Sequence, residues 1–176
     1  MIEVRIIDEA HKQDINIPNQ PFPLWGRMIV SRQDETWSYT VERSAPEDVG
    51  EMCFPDENYD FAQMSGDHTF IGAYDGDKCV GLAIMREYFL KYMYLYDLKV
   101  DRAYRGQNVG TLLIEKAKEV ARAKGYHGVY TQGQDNNLSA CLFYIRRGFR
   151  IGGLDTDVYT GTSQEGKSDI IFYLDC

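Results

Sequence analysis

At 176 residues the chain has room for one good core and not for two comfortable domains. Its 44% hydrophobic and 26% charged residues are ordinary for a folded soluble protein. A formal net charge of −8 argues against a nucleic-acid binder, which needs a basic stripe to meet phosphates. Acidity suits a cationic small molecule such as an amine, and it serves solubility equally well. Cys53, Cys79, Cys141 and Cys176 form no CxxC pair, and His11, His68 and His127 are scattered, so no metal site is expected. Reduced, buried thiols in a cytoplasmic protein are the expectation. Residues 1–20 are polar and charged, and no apolar run approaches the length of a membrane span.

In chain order, residues 3–7 read as a short strand, and residues 8–23, with Pro18, Pro21 and Pro23, read as mainly irregular. Residues 27–32 and 36–43 form a hairpin joined by Gln33-Asp34-Glu35, since Trp37, Tyr39 and Val41 alternate with polar neighbours. Residues 45–60 are acidic, with a helix expected around 46–52. Residues 68–74 and 78–86 flank the turn residues Asp75-Gly76-Asp77 as a second hairpin, and 93–100 is the next strand. Residues 109–124 carry the clearest helical stripe (Val109, Leu112, Leu113, Ala117, Val120, Ala121), with Gly125 as its stop. A strand at 128–132, a short helix at 139–147, strand material at 149–153 and 158–160, and a closing strand at 169–174 follow. The pattern is α/β: one domain spanning residues 1–176 around a single mixed sheet.

Two motifs carry chemistry. Arg105-Gly106-Gln107-Asn108-Val109-Gly110-Thr111 follows a strand and runs into the long helix. Backbone amides at a helix N-terminus, reinforced by the helix dipole, make an anion site. This stretch lacks the Lys-Ser/Thr of a nucleotide P-loop and the glycine spacing of the dinucleotide fingerprint, so by itself it is equally a plain loop. The second motif is Gln134-Asp135-Asn136-Asn137 followed by Ser139-Ala140-Cys141-Leu142-Phe143-Tyr144 and Gly148-Phe149. Asn136 or Asn137 caps its short helix and Gly148 ends it. Tyr144 alone would read as a core aromatic.

Taken together, in this order, the motifs resemble the GCN5-related N-acetyltransferase (GNAT) superfamily over residues 70–173. The resemblance implies a single-domain GNAT-like α/β fold, with a mixed, mostly antiparallel central sheet flanked by helices. It implies that the amides of Arg105, Gly106, Gln107, Asn108, Val109, Gly110 and Thr111 hold the pyrophosphate of acetyl-CoA. Asn108 stands where the family has glycine, and asparagine tolerates positive φ better than other side chains do. By the same resemblance, Leu98, Lys99 and Val100 offer backbone groups to the pantetheine arm and the acetyl carbonyl. Asn137, Ala140 and Phe143 line the arm, and Tyr144 protonates the departing thiolate. Cys141 has no histidine partner in view, so direct transfer is expected rather than a covalent enzyme intermediate.

A closer likeness is to the streptothricin acetyltransferases, which acetylate an amine of an antibiotic. It rests on Gln134-Asp135-Asn136-Asn137, Ala140-Cys141, Phe143-Tyr144 and Ile151-Gly152-Gly153-Leu154-Asp155. Those enzymes carry acids where this chain has Tyr96 and Gln132, so Tyr94, Tyr96 and Gln132 are the candidate acceptor-binding residues. Strict alternation puts Tyr92, Tyr94, Tyr96 and Leu98 on one face and Asp97 on the other; the resemblance implies that the even-numbered face meets the acceptor, which makes Asp97 a structural carboxylate. The tyrosines 88, 92, 94 and 96 line an acceptor pocket or are ordinary sheet aromatics. Asp56, Glu57 or Asp60 could supply the missing charge. Acceptors consistent with this pattern are a streptothricin-like amine or a metabolite or peptide amine; a CoA-binding sensor module is the non-enzymatic alternative. The strand at 169–174 is a candidate edge for a homodimer.

Overall fold

Runs of apolar residues facing two ways build the sheet at the centre of this chain. The computed structural model describes residues 1–176. It is α/β, with a mixed, mostly antiparallel seven-stranded sheet flanked by helices. Two compact units are distinguished, one comprising Met1–Gln20, Phe54–Val129 and Asp175–Cys176, the other Pro21–Cys53 and Tyr130–Leu174.

In the first unit the strands lie in the order β1 (Ile2–Ile6), β6 (His68–Asp75), β7 (Lys78–Arg86) and β8 (Tyr92–Val100), each antiparallel to its neighbour. β6 and β7 are buried along almost their whole length because both faces are covered. On one face Ile7, Ile15, Phe70, Leu82 and Ile84 form a core, with Tyr59, Phe61 and Met64 packed against it. Tyr59 precedes the single-turn helix α1 (Phe61–Met64), which is capped by the Asp60 carboxylate accepting from the Gln63 N–H at 3.0 Å. On the other face lies α2 (Val109–Ala123), burying Val109, Leu113, Ile114, Ala117 and Ala121. Gly81 admits that helix: a Cβ there would stand 3.0 Å from a Val109 methyl and 3.1 Å from a Leu113 methyl. The chain enters β9 (Gly128–Gln134) beside the start of β8, where the His127 N–H donates to the Lys91 carbonyl at 2.7 Å.

In the second unit β9 lies beside β11 (Asp169–Asp175), which pairs antiparallel with β10 (Arg150–Asp155). α3 (Leu138–Arg146) buries Leu138, Cys141 and Tyr144. The hairpin of β3 (Gly26–Gln33) and β4 (Thr36–Arg43) turns through Asp34 and Glu35, both at positive φ, as a two-residue connection whose twist matches its strands.

Several expectations are corrected. Residues 9–16 form 3₁₀ turns rather than irregular chain, with the Asp8 carboxylate capping the Ala10 N–H. The helix expected near 46–52 is one 3₁₀ turn, Pro46–Asp48, followed by β5 (Gly50–Met52), which pairs with β2 (Phe22–Leu24). Residues 158–160 are turn, not strand, because the Asp155 carboxylate accepts from the Asp157 and Val158 amides and curls the chain there. β11 is flanked by β9 and β10, so it offers no free edge for a partner. Of the four cysteines only Cys141 is buried; Cys53 and Cys176 are exposed.

The contact of α2 on β7 gives a direct test. Leu113 is fully buried, so Leu113→Ala should lower unfolding free energy by about 2–5 kcal/mol in urea titrations.

Candidate active site

The anion loop forms at the end of β8. Asp101 opens a 3₁₀ turn, Arg102–Tyr104, by accepting from the Ala103 N–H at 3.0 Å, and Lys78 holds the same carboxylate at 3.0 Å. Arg105 folds back, its Nε donating to the Val100 carbonyl at 3.1 Å. Gly106 then takes φ +77° and Asn108 φ +68°. A Cβ at Gly106 would meet nothing, so backbone handedness rather than space requires glycine there. Asn108 is the N-cap of α2 in the left-handed region, and its side chain makes no capping bond. The helical ladder begins with the Leu112 N–H donating to the Asn108 carbonyl at 3.1 Å, which leaves Val109, Gly110 and Thr111 ahead of it. Alternating handedness followed by a helix N-terminus is the backbone form of an anion cradle, although the Arg105 and Gln107 amides, expected to face the anion, donate instead to the Arg102 and Tyr104 carbonyls at 3.3 and 3.4 Å.

β8 does not alternate strictly. Met85 pairs with Leu95 and Ile84 with Asp97, so Tyr96 is the extra residue of a β-bulge. Paired residues share a face, which puts Tyr94 with Arg86, Asp97 with Ile84 and Lys99 with Leu82. Leu98 and Val100, opposite Ala83 and Gly81, turn toward the α2 side. The expectation that Asp97 lies opposite Tyr94 is therefore overturned: the bulge inverts the alternation, and Asp97 shares the face of Tyr94.

On that face a polar network assembles. The Tyr59 hydroxyl donates to Asp97 Oδ2 at 3.1 Å, and Lys99 Nζ lies 3.1 Å from the same oxygen and 2.8 Å from Glu57 Oε2. Asn19 Nδ2 donates to that Glu57 oxygen at 2.9 Å. Burial raises the Asp97 carboxyl above its ordinary value, outweighing the charge of Lys99. Burial also opposes ionisation of Glu57, but hydrogen bonds from Lys99 and Asn19 prevail and hold it low. Burial works against the Lys99 ammonium too, and the charges of Asp97 and Glu57 prevail and hold it high. Tyr59 is pushed up by burial and by the neighbouring Asp97 and Glu57, so it remains a donor. Tyr96, 39% exposed, is the hub of an aromatic group: its ring lies 6.0 Å from Tyr59, 5.9 Å from Tyr94 and 5.3 Å from His68, each steeply inclined.

Of the four tyrosines singled out in the sequence, Tyr94 and Tyr96 join this group. Tyr92 donates to Asp175 at 2.6 Å, and Tyr88 packs on Phe89. Among the three candidate acids Glu57 alone enters the network; Asp56 accepts from the Asn19 N–H and Asp60 caps α1. Tyr59 and His68 were not foreseen as site residues: Tyr59 lies in the acidic segment, and His68 opens the strand read at 68–74 with no motif around it.

In the second unit the Asn137 side chain caps α3, accepting from the Ala140 N–H at 3.3 Å. Tyr144 is 7% exposed, its ring 5.3 Å from Phe172, 5.2 Å from Phe149 and 5.7 Å from Phe143. Burial pushes the Cys141 thiol up to about 12, which disqualifies it as a nucleophile at neutral pH. Asp135 is structural: its carboxylate meets Arg27 at 2.5 Å and its carbonyl accepts from the Met28 N–H at 2.9 Å. Gln132 is exposed on β9.

A loop with two left-handed residues running into a helix N-terminus, at the end of a strand of a mixed α/β sheet, is suited to an anionic cofactor. Residues 32–149 match the acetyltransferase (GNAT) family model, and the chain belongs to that family. It is 32% identical over 161 residues to streptothricin acetyltransferase A of Bacillus subtilis strain 168, covering 92% of each protein. A streptothricin acetyltransferase of Streptomyces lavendulae is 29% identical over 60% of this chain and 56% of its own. In structure, a Bacillus anthracis protein assigned as a streptothricin acetyltransferase, solved in complex with acetyl coenzyme A, superposes with a TM-score of 0.88 at 25% identity over the whole of both chains. Nourseothricin acetyltransferase shares the fold, with a TM-score of 0.82 at 22% identity over 99% of this chain and 98% of its own. Acetyl-CoA is the cofactor of the family, and no helix here is long and apolar enough to cross a membrane.

Lys99→Met leaves the Asp97 and Glu57 carboxylates together without their cation, so stability at pH 8 should fall by about 3 kcal/mol. The repulsion vanishes once one carboxyl takes a proton, and Asp97 has the raised affinity. The deficit should therefore shrink as pH is lowered toward 5, as measured by denaturant unfolding across that range.

Proposed function

We propose that this protein transfers the acetyl group of acetyl-CoA to an amine of a streptothricin-type antibiotic. The observation carrying that reading is the 32% identity, over 92% of each chain, to a streptothricin acetyltransferase. The acidic, aromatic face of β8 agrees with it, since Asp97, Glu57 and Lys99 together leave one net negative charge beneath exposed Tyr96. A cationic acceptor is attracted there by charge and by the tyrosine ring faces. We infer that the two units act as a single transferase domain, and that it works in the cytoplasm, where its four free thiols stay reduced.

The residues then divide the labour. Acetyl-CoA supplies the acetyl group as an activated thioester. The cradle Arg105 to Thr111 holds its pyrophosphate, and α2 adds its dipole. Backbone groups of Leu98, Lys99 and Val100 orient the arm, and an amide there polarises the acetyl carbonyl. Asn137, Ala140 and Phe143 line the arm from α3. Tyr144 gives its phenolic proton to the leaving sulfur; a phenol near pKa 10 is matched to a thiol near 8.5. Tyr94, Tyr96 and Gln132 meet the acceptor. For an alkyl amine of pKa near 10, presenting the free base at pH 7 costs about 4 kcal/mol.

The residues at two positions favour a second acceptor class. By the resemblance, Tyr96 and Gln132 stand where the streptothricin enzymes keep acids, and this suits a metabolite or peptide amine of lower pKa. An amine panel assayed for thiol release with acetyl-CoA separates the readings. Turnover with streptothricin well above that with simple amines is expected; cofactor binding without turnover on any amine would indicate a sensor module. In the same assay Tyr144→Phe should lower kcat by about 10²-fold or more while acetyl-CoA still raises the melting temperature.

A further inference from the structure

If the protein is a transferase acting on an ammonium, as argued above, some group must remove a proton before attack. Tyr96 and Gln132 are not bases at neutral pH. Asp97 Oδ2 is already shared between the Tyr59 hydroxyl and Lys99, each at 3.1 Å. A nitrogen base lies against Tyr96 instead.

His68 begins β6, opposite Arg86, which is in turn opposite Tyr94, so all three share the face that carries Asp97. His68 Nδ1 faces two oxygens, the Met64 carbonyl at 3.0 Å and Asp67 Oδ1 at 2.5 Å. A carbonyl cannot donate, and neither can an ionised carboxylate. Slight burial opposes ionisation of Asp67, but hydrogen bonds from His68 and Arg86 hold it below its ordinary range. Nδ1 therefore carries the hydrogen, and the neutral ring keeps its lone pair on Nε2. No hydrogen bond occupies Nε2. Phe70, nearly parallel at 6.4 Å, and Tyr96, perpendicular at 5.3 Å, fix the plane of the ring.

We propose that His68 is the proton acceptor for the substrate ammonium, with Asp67 as its positioning residue. The ammonium N–H bond breaks and its electron pair stays on nitrogen as the attacking lone pair. The proton bonds to Nε2, directly or through one water. The imidazolium formed is met by the Asp67 carboxylate, as in other Asp–His pairs. Arg86, whose Nε lies 3.4 Å from Asp67 Oδ2, competes for that carboxylate and favours release of the proton to solvent. From β8 the phenol of Tyr96 faces the ring, with Tyr94, Tyr59 and Asp97 beyond it; α1 presents the Met64 carbonyl and, at its start, Asp60.

Two measurements decide the matter. The first needs no acceptor: ¹⁵N NMR of the imidazoles, with His68 assigned from the His68→Gln spectrum, should show neutral His68 protonated at Nδ1. A neutral ring protonated at Nε2 would overturn the proposal. The second is the pH dependence of kcat/KM with streptothricin at saturating acetyl-CoA. The parent should lose activity as pH is lowered, because an imidazolium has no lone pair to take the ammonium proton. His68→Gln should lose that limb and about 10²-fold in kcat, with KM for acetyl-CoA unchanged and part of the rate restored by free imidazole. Asp67→Asn should cost less and move the limb, and it serves if the glutamine variant fails to fold. A variant that keeps both the limb and a rate within about twofold of the parent removes His68 from the role. Failure of the parent protein to acetylate streptothricin would count against the antibiotic reading and leave the tautomer result to decide for His68.

Discussion

The bulge at Tyr96 sets the character of the face on which an acceptor would arrive. A β-strand repeats every two residues, so one extra residue exchanges the faces of everything beyond it. Before the bulge, Met93 and Leu95 are buried and Tyr94 looks the other way. After it, Leu98 and Val100 share the face of Leu95, and Asp97 and Lys99 share the face of Tyr94. Without the bulge, a carboxylate and an ammonium would point into the apolar contact with α2, at a desolvation cost neither could recover there. The same irregularity leaves Tyr96 standing out from the ladder, where three other rings gather around it.

Lys99 ties this strand to two distant parts of the chain. Its ammonium meets Glu57 from the acidic segment, and Glu57 accepts from Asn19 in the N-terminal turns. Tyr59, two residues on, sits in the core with Ile84 and Leu82 and sends its hydroxyl to Asp97. Every buried charge in the group has a partner of opposite sign, and each carboxylate also accepts a neutral donor. That is the condition under which burying charge is tolerable. The consequence is an electronegative floor in which Asp97 Oδ2 and Glu57 Oε2 are both tied to Lys99.

Much of this was legible in the chain itself. The stripe from Val109 to Ala121 and the glycines around it specified α2, because helical periodicity over four turns is a strong signal. The loop from Arg105 to Thr111 and the Asn137-to-Tyr144 motif were readable because backbone handedness and capping constrain residue type. Asn108 takes the left-handed conformation, φ +68°, that asparagine tolerates better than other side chains do. The face of Asp97 was not legible: Tyr-Leu-Tyr-Asp-Leu-Lys-Val alternates well either way, and a bulge leaves no mark on composition. Tyr59 and His68 were missed for a related reason. They act through long-range contacts set by strand register, and nothing adjacent to them in sequence announces a site. The short strand pair Phe22–Leu24 and Gly50–Met52 was hidden likewise, since three residues are too few for any period to show.

The claim on which the rest depends is that Asp97 lies on the Tyr59 side of β8. A double-mutant cycle of Tyr59→Phe and Asp97→Asn on unfolding free energy tests it without substrate or cofactor. If the bulge is as described, the two residues share a hydrogen bond and the cycle should return a coupling of about 1 kcal/mol or more. Additive effects within about 0.3 kcal/mol would mean that the strand alternates without interruption and that Asp97 faces α2.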